Sequence, residues 1–377
     1  MQKLTIGFPR MHKEAGEIRD FLPSLMHRLS PFAKEVVIET TIGTGLGISP
    51  SEYIQGYDNI HFGGNLDCYS QDVVVQIRAP EDNELERMKP ETILFSMLHY
   101  PTHPHRVKRI QELGLRPISM DSILDEDGYR MIECLHGTAW NAIHEGFKAL
   151  HKTYPQQLSG CGRKPVEVVI VGAGVTGRFA AEAATKYGDI NLYRKFMDSG
   201  GPSVIVHIIG RNITYNKPLL AGLLSSADML VDATARKENE RSQYIIPNDM
   251  IGSMPDHAVI VDIATDTYDT DVRPMSVKGI EGIPTGNMKQ FEFSPTHPAF
   301  DQLPHGVCTT NRRMTLSCYT WPCLRPTDCM QRYGRQVGNM LEALMQIPYN
   351  NLSINNCRSI YTGTLEYYLE KKNTCPP

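Results

Sequence analysis

Hydrophobic positions along this chain fall into short runs separated by polar, helix-patterned stretches. In the N-terminal third, "KLTIGFP" (3–9), "KEVVIETT" (34–41), "DVVVQI" (72–77), "TILFSML" (92–98) and "LRPISM" (115–120) read as strands. Between them, "IRDFLPSLMHRLSPFA" (18–33) and "HPHRVKRIQELG" (103–114) have helical spacing. Strands alternating with helices predict a parallel sheet covered on its faces. From Tyr129 to His151 apolar residues recur every three or four positions, which predicts one long helix. The Gly- and Pro-containing stretch 154–165, "YPQQLSGCGRKP", reads as a surface connection. Further strands are expected at "VEVVIV" (166–171), "PSVIVHIIG" (202–210), "ADMLVDATA" (227–235) and "HAVIVDIAT" (257–265). Past about Asn311 the pattern turns helical again, in "DCMQRYGRQVGNMLEALMQ" (328–346).

This pattern predicts an α/β protein of two domains. Residues 1–130 would form a substrate domain, to which 306–377 return, and 131–305 a Rossmann-type nucleotide domain that includes the linking helix. The expected active site lies in the cleft between them. A length of 377 residues suits two cores better than one.

The stretch 166–183, "VEVVIVGAGVTGRFAAEA", carries the most specific chemistry. Gly172, Gly174 and Gly177 fit G-x-G-x-x-G between a β-branched run and an Ala-rich helix. The first glycine permits a tight turn, the second lets a pyrophosphate approach the backbone, and the third lets helix pack on strand. With Val175 and Thr176 at the helix start, this loop is the expected pyrophosphate site. The alternative is a glycine-rich turn that binds nothing.

The end of the next strand selects the cofactor. If that strand is "INLY", its tip is Arg194-Lys195; if it is "SVIVHIIG", its tip is Gly210-Arg211-Asn212, and the helix before it is longer than usual. The second is preferred because the run is more apolar. Either tip is basic where NAD enzymes carry a carboxylate, so Arg211 and Asn212 favour NADP(H) over NAD(H). The competing reading is of solvated loop charges.

A net charge of −4 gives no electrostatic case for nucleic acid or an anionic membrane. No apolar run approaches the ~20 residues of a membrane span, and the N-terminus lacks a signal-peptide core. The expectation is a cytoplasmic enzyme, forming a homo-oligomer as metabolic enzymes of this kind do. Nine cysteines without a Cys-x-x-Cys pair, Cys318, Cys323 and Cys329 among them, predict thiols and no metal.

Hydride transfer also needs groups that hold a carboxylate and move a proton. Arg78 ends an apolar strand before a proline, and His99 ends another. Asp262 and Asp266 close "AVIVDIATD". Each has a bland alternative: a strand-end charge, a structural histidine, a turn cap.

The ordered set "IGFPR…EIRDFLP", "VVVQIRAP…ETILFSMLH", "VVIVGAGVTG" and "VIVDIATD", with "IGTGLGISPSEY", resembles the alanine dehydrogenase and pyridine nucleotide transhydrogenase family, in a wider group with saccharopine- and opine-forming dehydrogenases. The resemblance spans roughly residues 3–300. It implies that Arg19 helps bind the substrate carboxylate, that His99 of "LFSMLH" is an acid/base or carbonyl-polarising group, and that Asp266 lies near the nicotinamide. Arg78 falls where alanine dehydrogenases have the lysine of "V-K-E-P". Arginine cannot serve as a proton donor near neutral pH but can hold a carboxylate. The segment 308–329 and the charged loop "RKENERS" (236–242) also depart from the family. Arg312 and Arg313 could meet a further substrate anion or be surface charges.

The resemblance, taken with the basic strand tip, therefore implies an NADP(H)-dependent oxidoreductase, not alanine dehydrogenase itself, acting on the C–N bond of an amino acid or on an imine of a 2-oxo acid and an amine. The substrate is expected to be larger or more polar than alanine. An opine- or saccharopine-type reductase is the alternative within the enzymes. A non-catalytic NADPH-binding sensor is the alternative outside them.

Overall fold

Runs of β-branched residues form the interiors of two six-stranded sheets. The structure is a computed structural model and describes residues 3–11, 15–156 and 164–374. The chain divides into two units. One holds the N-terminal strand, Glu17–Cys134 and the segment from Pro326 onward; the other holds Leu135–Arg325.

In the first unit the strands are β1 (Thr5–Phe8), β2 (Glu35–Glu39), β3 (Ile60–Gly63), β4 (Val73–Arg78), β5 (Ile93–Met97) and β6 (Arg116–Ser119). They are ordered β3-β2-β1-β4-β5-β6, and every pair is parallel. The chain winds outward from β1 in one direction and from β4 in the other. A crevice therefore opens beyond the carboxyl ends of these two strands. One sheet face packs against helices Pro23–Leu29 and Pro326–Leu344, whose Leu25, Met26, Val337 and Leu341 are fully or almost fully buried. Arg28 of the first helix pairs with both oxygens of Glu342 on the second, at 2.6 and 2.7 Å. The strand β3 escaped the hydrophobic pattern because Ile60 is its only fully buried residue.

In the second unit the strands are β7 (Val166–Val171), β8 (Val204–Ile209), β9 (Met229–Asp232), β10 (Val259–Asp262), β11 (Glu292–Phe293) and β12 (Met314–Ser317). The order is β11-β12-β10-β9-β7-β8, parallel except for β11 against β12. Winding reverses at β7, which lies between β8 and β9. This is the Rossmann-type arrangement, and it places the glycine loop at the switch point.

Three local expectations need correction. The long helix runs Leu135–Thr153 and does not begin at Tyr129. Residues 129–131 are instead tied back on 123–125, with Asp125 N donating to Tyr129 O at 2.9 Å and Met131 N to Ile123 O at 3.0 Å. "INLY" opens a second helix, Ile190–Ser199, so two helices, not one long one, join β7 to β8. The break falls at Tyr187 and Gly188, both at positive φ, and Asp189 caps the second helix by accepting from Asn191 N and Leu192 N. The stretch past Asn311 is not helical at once. It contains β12, and the second unit continues to Arg325, where the sequence pattern put the return at 306. Arg312 and Arg313 hid that strand, because a charge pair reads as surface. Arg313 is in fact 8% exposed and donates to the carbonyls of Pro255 and Met254.

Candidate active site

Each glycine of the loop after β7 answers to a different constraint. Gly172 has φ 113°, and a Cβ there would lie 2.5 Å from the Ala233 carbonyl oxygen. At Gly177 a Cβ would lie 1.9 Å from the Gly172 carbonyl oxygen. At Gly174 it would meet nothing within 4 Å. Two glycines are thus demanded by the fold, and the third borders open space. Gly174 is the N-cap of helix Val175–Thr185 and brings no side-chain acceptor. The first-turn N–H groups, in the turn of Val175, Thr176 and Gly177, are left for an anion. A cradle that a Cβ would fill, at a helix start, fits a dinucleotide pyrophosphate.

Gly172 N donates to Ile209 O at 2.9 Å, which ties this loop to the tip of β8. Arg211 follows that tip, and Asn212 comes next in the same short helix, Arg211–Thr214. Arg211 is not a bare cation. Its Nη1 and Nη2 bond the two oxygens of Glu240 at 2.5 and 3.0 Å.

At the carboxyl ends of β9 and β10, Asp232 and Asp262 stand opposite each other. Asp262 accepts from Lys278 Nζ at 2.7 Å, Ser317 Oγ at 2.8 Å and Thr265 N at 2.8 Å. Its role as turn cap is therefore met, within a buried ion pair. Asp232 accepts from Thr234 N and Oγ1 at 3.0 and 2.7 Å. Burial, with the Asp262 charge beside it, pushes the Asp232 carboxyl up to about 6. Asp266 is half-buried, and one of its oxygens receives Arg236 Nε and Nη2 at 3.1 and 2.8 Å. Arg236 also donates to the carbonyls of Gln243 and Val277.

In the first unit the candidate residues sit at the carboxyl ends of β4, β5 and β6 and in the connection after β1. Arg19 and Arg78 are brought together by Glu17, whose side chain is almost fully buried. Glu17 Oε1 accepts from Arg78 Nε at 3.2 Å and pairs with Arg19 Nε. Among the described residues, buried Arg78 Nη2 has no hydrogen-bond partner. A bulge between β4 and β5, at Val75 and Arg78, sets where Arg78 emerges.

His99 lies just past β5 with φ 52°, a left-handed conformation uncommon outside glycine. Asp121, just past β6, holds it there. The carboxylate accepts from His99 N at 3.2 Å and Ser119 Oγ at 2.7 Å, and faces His99 Nδ1 at 3.2 Å. Burial works to raise the Asp121 carboxyl, but the hydrogen bonds and charge of His99 and the Ser119 hydroxyl outweigh it and hold it well below the usual carboxylate range. With Nδ1 turned to Asp121, Nε2 is the ring nitrogen left to exchange a proton, accepting one on the neutral imidazole and giving one from the imidazolium. A cavity of about 600 Å³ is lined by Glu81, Asp82, Thr102, His103 and Arg106. Its charged side chains are of mixed sign, and Pro80 and Pro104 also line it.

Sequence reasoning missed Glu17, Asp121, Arg236, Glu240 and Lys278. Glu17 stood inside the quoted "EIRDFLP", and Asp121 directly follows a strand. Arg236 and Glu240 belong to the charged loop that looked foreign to the family. Arg312 is held by Asp301 and Thr309. Cys318 and Cys323 are buried in the second unit and Cys329 in the first. Among the described residues no helix is long and apolar enough to cross a membrane, and no group of side chains forms a metal site.

The chain matches two profiles of one family, described as alanine dehydrogenase/PNT N-terminal domain over residues 19–138 and C-terminal domain over residues 142–268. It is 25% identical to the alanine dehydrogenase of Methanococcus maripaludis, over 82% of this chain and 83% of that one. It is 21% identical to the NAD(P) transhydrogenase subunit alpha of Haemophilus influenzae, over 93% of this chain and 68% of that one. Among solved structures, an L-alanine dehydrogenase superposes with a TM-score of 0.69 at 20% identity, covering 96% of this chain and 94% of that one. A transhydrogenase from Sinorhizobium meliloti gives 0.63 at 15% identity, over 90% and 94%. With both profiles matched in order, and a glycine cradle at the switch point of one sheet, the chain belongs to the alanine dehydrogenase/PNT family and is an NAD(P)-dependent oxidoreductase.

Proposed function

We propose that this protein is an NADP(H)-dependent oxidoreductase of a C–N bond, oxidising an amino acid or, in reverse, reducing an imine of a 2-oxo acid and an amine. The observation that carries this reading is the pairing of a carboxylate anchor with an oriented histidine beyond one sheet edge. The Arg78 guanidinium, on a side chain 31% exposed, donates to the substrate carboxylate. Arg19, held on the same Glu17, adds a second guanidinium beside it. His99 Nε2 moves the proton that accompanies C–N bond change, and Asp121 keeps its tautomer and orientation. Arg78, unlike a lysine, takes no part in proton transfer.

Gly172, Gly174, Val175, Thr176 and Gly177 would hold the pyrophosphate, and Arg211 with Asn212 the 2′-phosphate. The dinucleotide, when bound, accepts or donates the hydride. Asp266, with one oxygen spent on Arg236, keeps the other to orient the substrate nitrogen.

The test follows nicotinamide absorbance with NADPH or NADH and a panel of 2-oxo acids. Each is tried with ammonia, with primary amino acids and without amine, and His99→Gln is the control. Amine-dependent oxidation of NADPH, lost in the variant, is the expected result. No consumption of either cofactor while NADPH still binds would refute the catalytic assignment and favour a sensor.

A further inference from the structure

The charged loop after β9, which set this sequence apart from its relatives, ends on the residue at the β8 tip. We infer that Glu240 is a selectivity residue for the dinucleotide: it occupies Arg211 as an internal stand-in for a 2′-phosphate and so limits the preference for NADPH over NADH. This rests on the dinucleotide site proposed above.

The geometry is that of anion recognition. Both Nη atoms of Arg211 face both oxygens of Glu240, the fork that a guanidinium offers equally to a carboxylate or a phosphate. Glu240 does not arrive by chance from a loose surface. Its Oε2 also accepts from Lys237 N at 3.1 Å, closing a short turn. The loop is pinned upstream by Arg236, which grips Asp266 and the carbonyls of Gln243 and Val277. The side chains of Arg211 and Glu240 are 57% and 30% exposed, so an outside anion can reach the pair.

The two cofactors meet this pair differently. A ribose 2′-hydroxyl can donate to Glu240 with the Arg211 pair intact, as the strand-end carboxylate of NAD enzymes does. A 2′-phosphate must take Arg211 from Glu240 and then endure the carboxylate beside it. An exposed ion pair is weak, so the exchange is feasible but not free. Glu240 therefore restores, from a neighbouring loop, the acidic character that the β8 tip itself lacks.

The experiment is titration of wild type, Glu240→Gln and Arg211→Gln with NADPH and with NADH, read by fluorescence of the bound reduced nicotinamide. Glu240→Gln should tighten NADPH by roughly threefold to tenfold and leave NADH unchanged or weaker. Arg211→Gln should weaken NADPH by a similar factor and spare NADH. If both dinucleotides bind and Glu240→Gln leaves their ratio unchanged, the inference falls while the dinucleotide site stands. If neither binds to the folded wild type, the dinucleotide reading falls, and this inference with it.

Discussion

Alanine substitution at two glycines of one loop should separate folding from binding. At Gly177 an added Cβ would sit 1.9 Å from the Gly172 carbonyl oxygen, far inside the 3.4 Å at which ordinary contact begins. The obstacle is backbone, so no side chain can swing aside. Helix Val175–Thr185 would have to move off the turn that precedes it. Overpacking typically costs about 1–3 kcal/mol, and a backbone clash belongs at the upper end. The gain in helix propensity from Gly to Ala, about 1 kcal/mol, offsets part of it. Gly177→Ala should therefore lose about 2 kcal/mol, a fall of roughly 5 °C in the melting of the second unit. Gly174 is the opposite case. Its φ of −74° and ψ of −169° suit alanine, and the Cβ meets nothing. Loss of an N-cap preference and reduced unfolded-state freedom are each below about 1 kcal/mol and opposite in sign. Gly174→Ala should melt like wild type, yet its methyl group fills the space a pyrophosphate needs. Differential scanning calorimetry and NADPH titration on both variants test this. Gly174→Ala binding NADPH as tightly as wild type would refute the cradle.

Asp121→Asn should lower kcat/KM by about 10²–10⁴ while leaving NADPH affinity unchanged, because it disorders the His99 tautomer and nothing at the glycine loop; equal kcat/KM would exclude Asp121 as the group that orients His99 for catalysis. Since the Asp121 carboxyl is held below its unfolded value, its stabilising effect is present above about pH 4 and lost as pH falls, and the same variant should flatten part of the acid limb of a pH–stability curve. Asp232 has the opposite sign. Its folded value of about 6 lies above the unfolded one, so it costs stability as pH rises from about 4 to 6, and Asp232→Asn should gain on wild type by about 1.4 kcal/mol per pH unit over that window in urea titrations. A constant difference across that window would show that Asp232 is not protonated in the fold. Lys278→Met should destabilise by about 3–5 kcal/mol by stranding the Asp262 charge, and adding Asp262→Asn should recover much of that loss; an additive double variant would refute the ion pair.

Continuous apolar runs made most of the parallel strands legible, because a strand buried on both faces leaves no polar positions to confuse its period. Short strands defeated that logic. Ile60–Gly63 has one fully buried residue, and Met314–Ser317 stands behind two arginines. The glycine loop could be read because each glycine has its own steric cause. The pairs Glu17–Arg78, Asp121–His99, Arg236–Asp266 and Glu240–Arg211 could not, since each joins residues 22 to 61 positions apart. A side chain's identity shows in sequence; the partner that decides whether it is a free charge or half of a bond does not.

The first unit is assembled from two separated stretches of chain, and this imposes an order in time. As the polypeptide leaves the ribosome, Leu135–Arg325 is complete before the helix Pro326–Leu344 exists. Until that helix emerges, Leu25, Met26 and Leu29 lack the apolar partners that bury them. The nucleotide-type unit can therefore close early, while the unit bearing His99 waits, partly open, for the last segment of its own core.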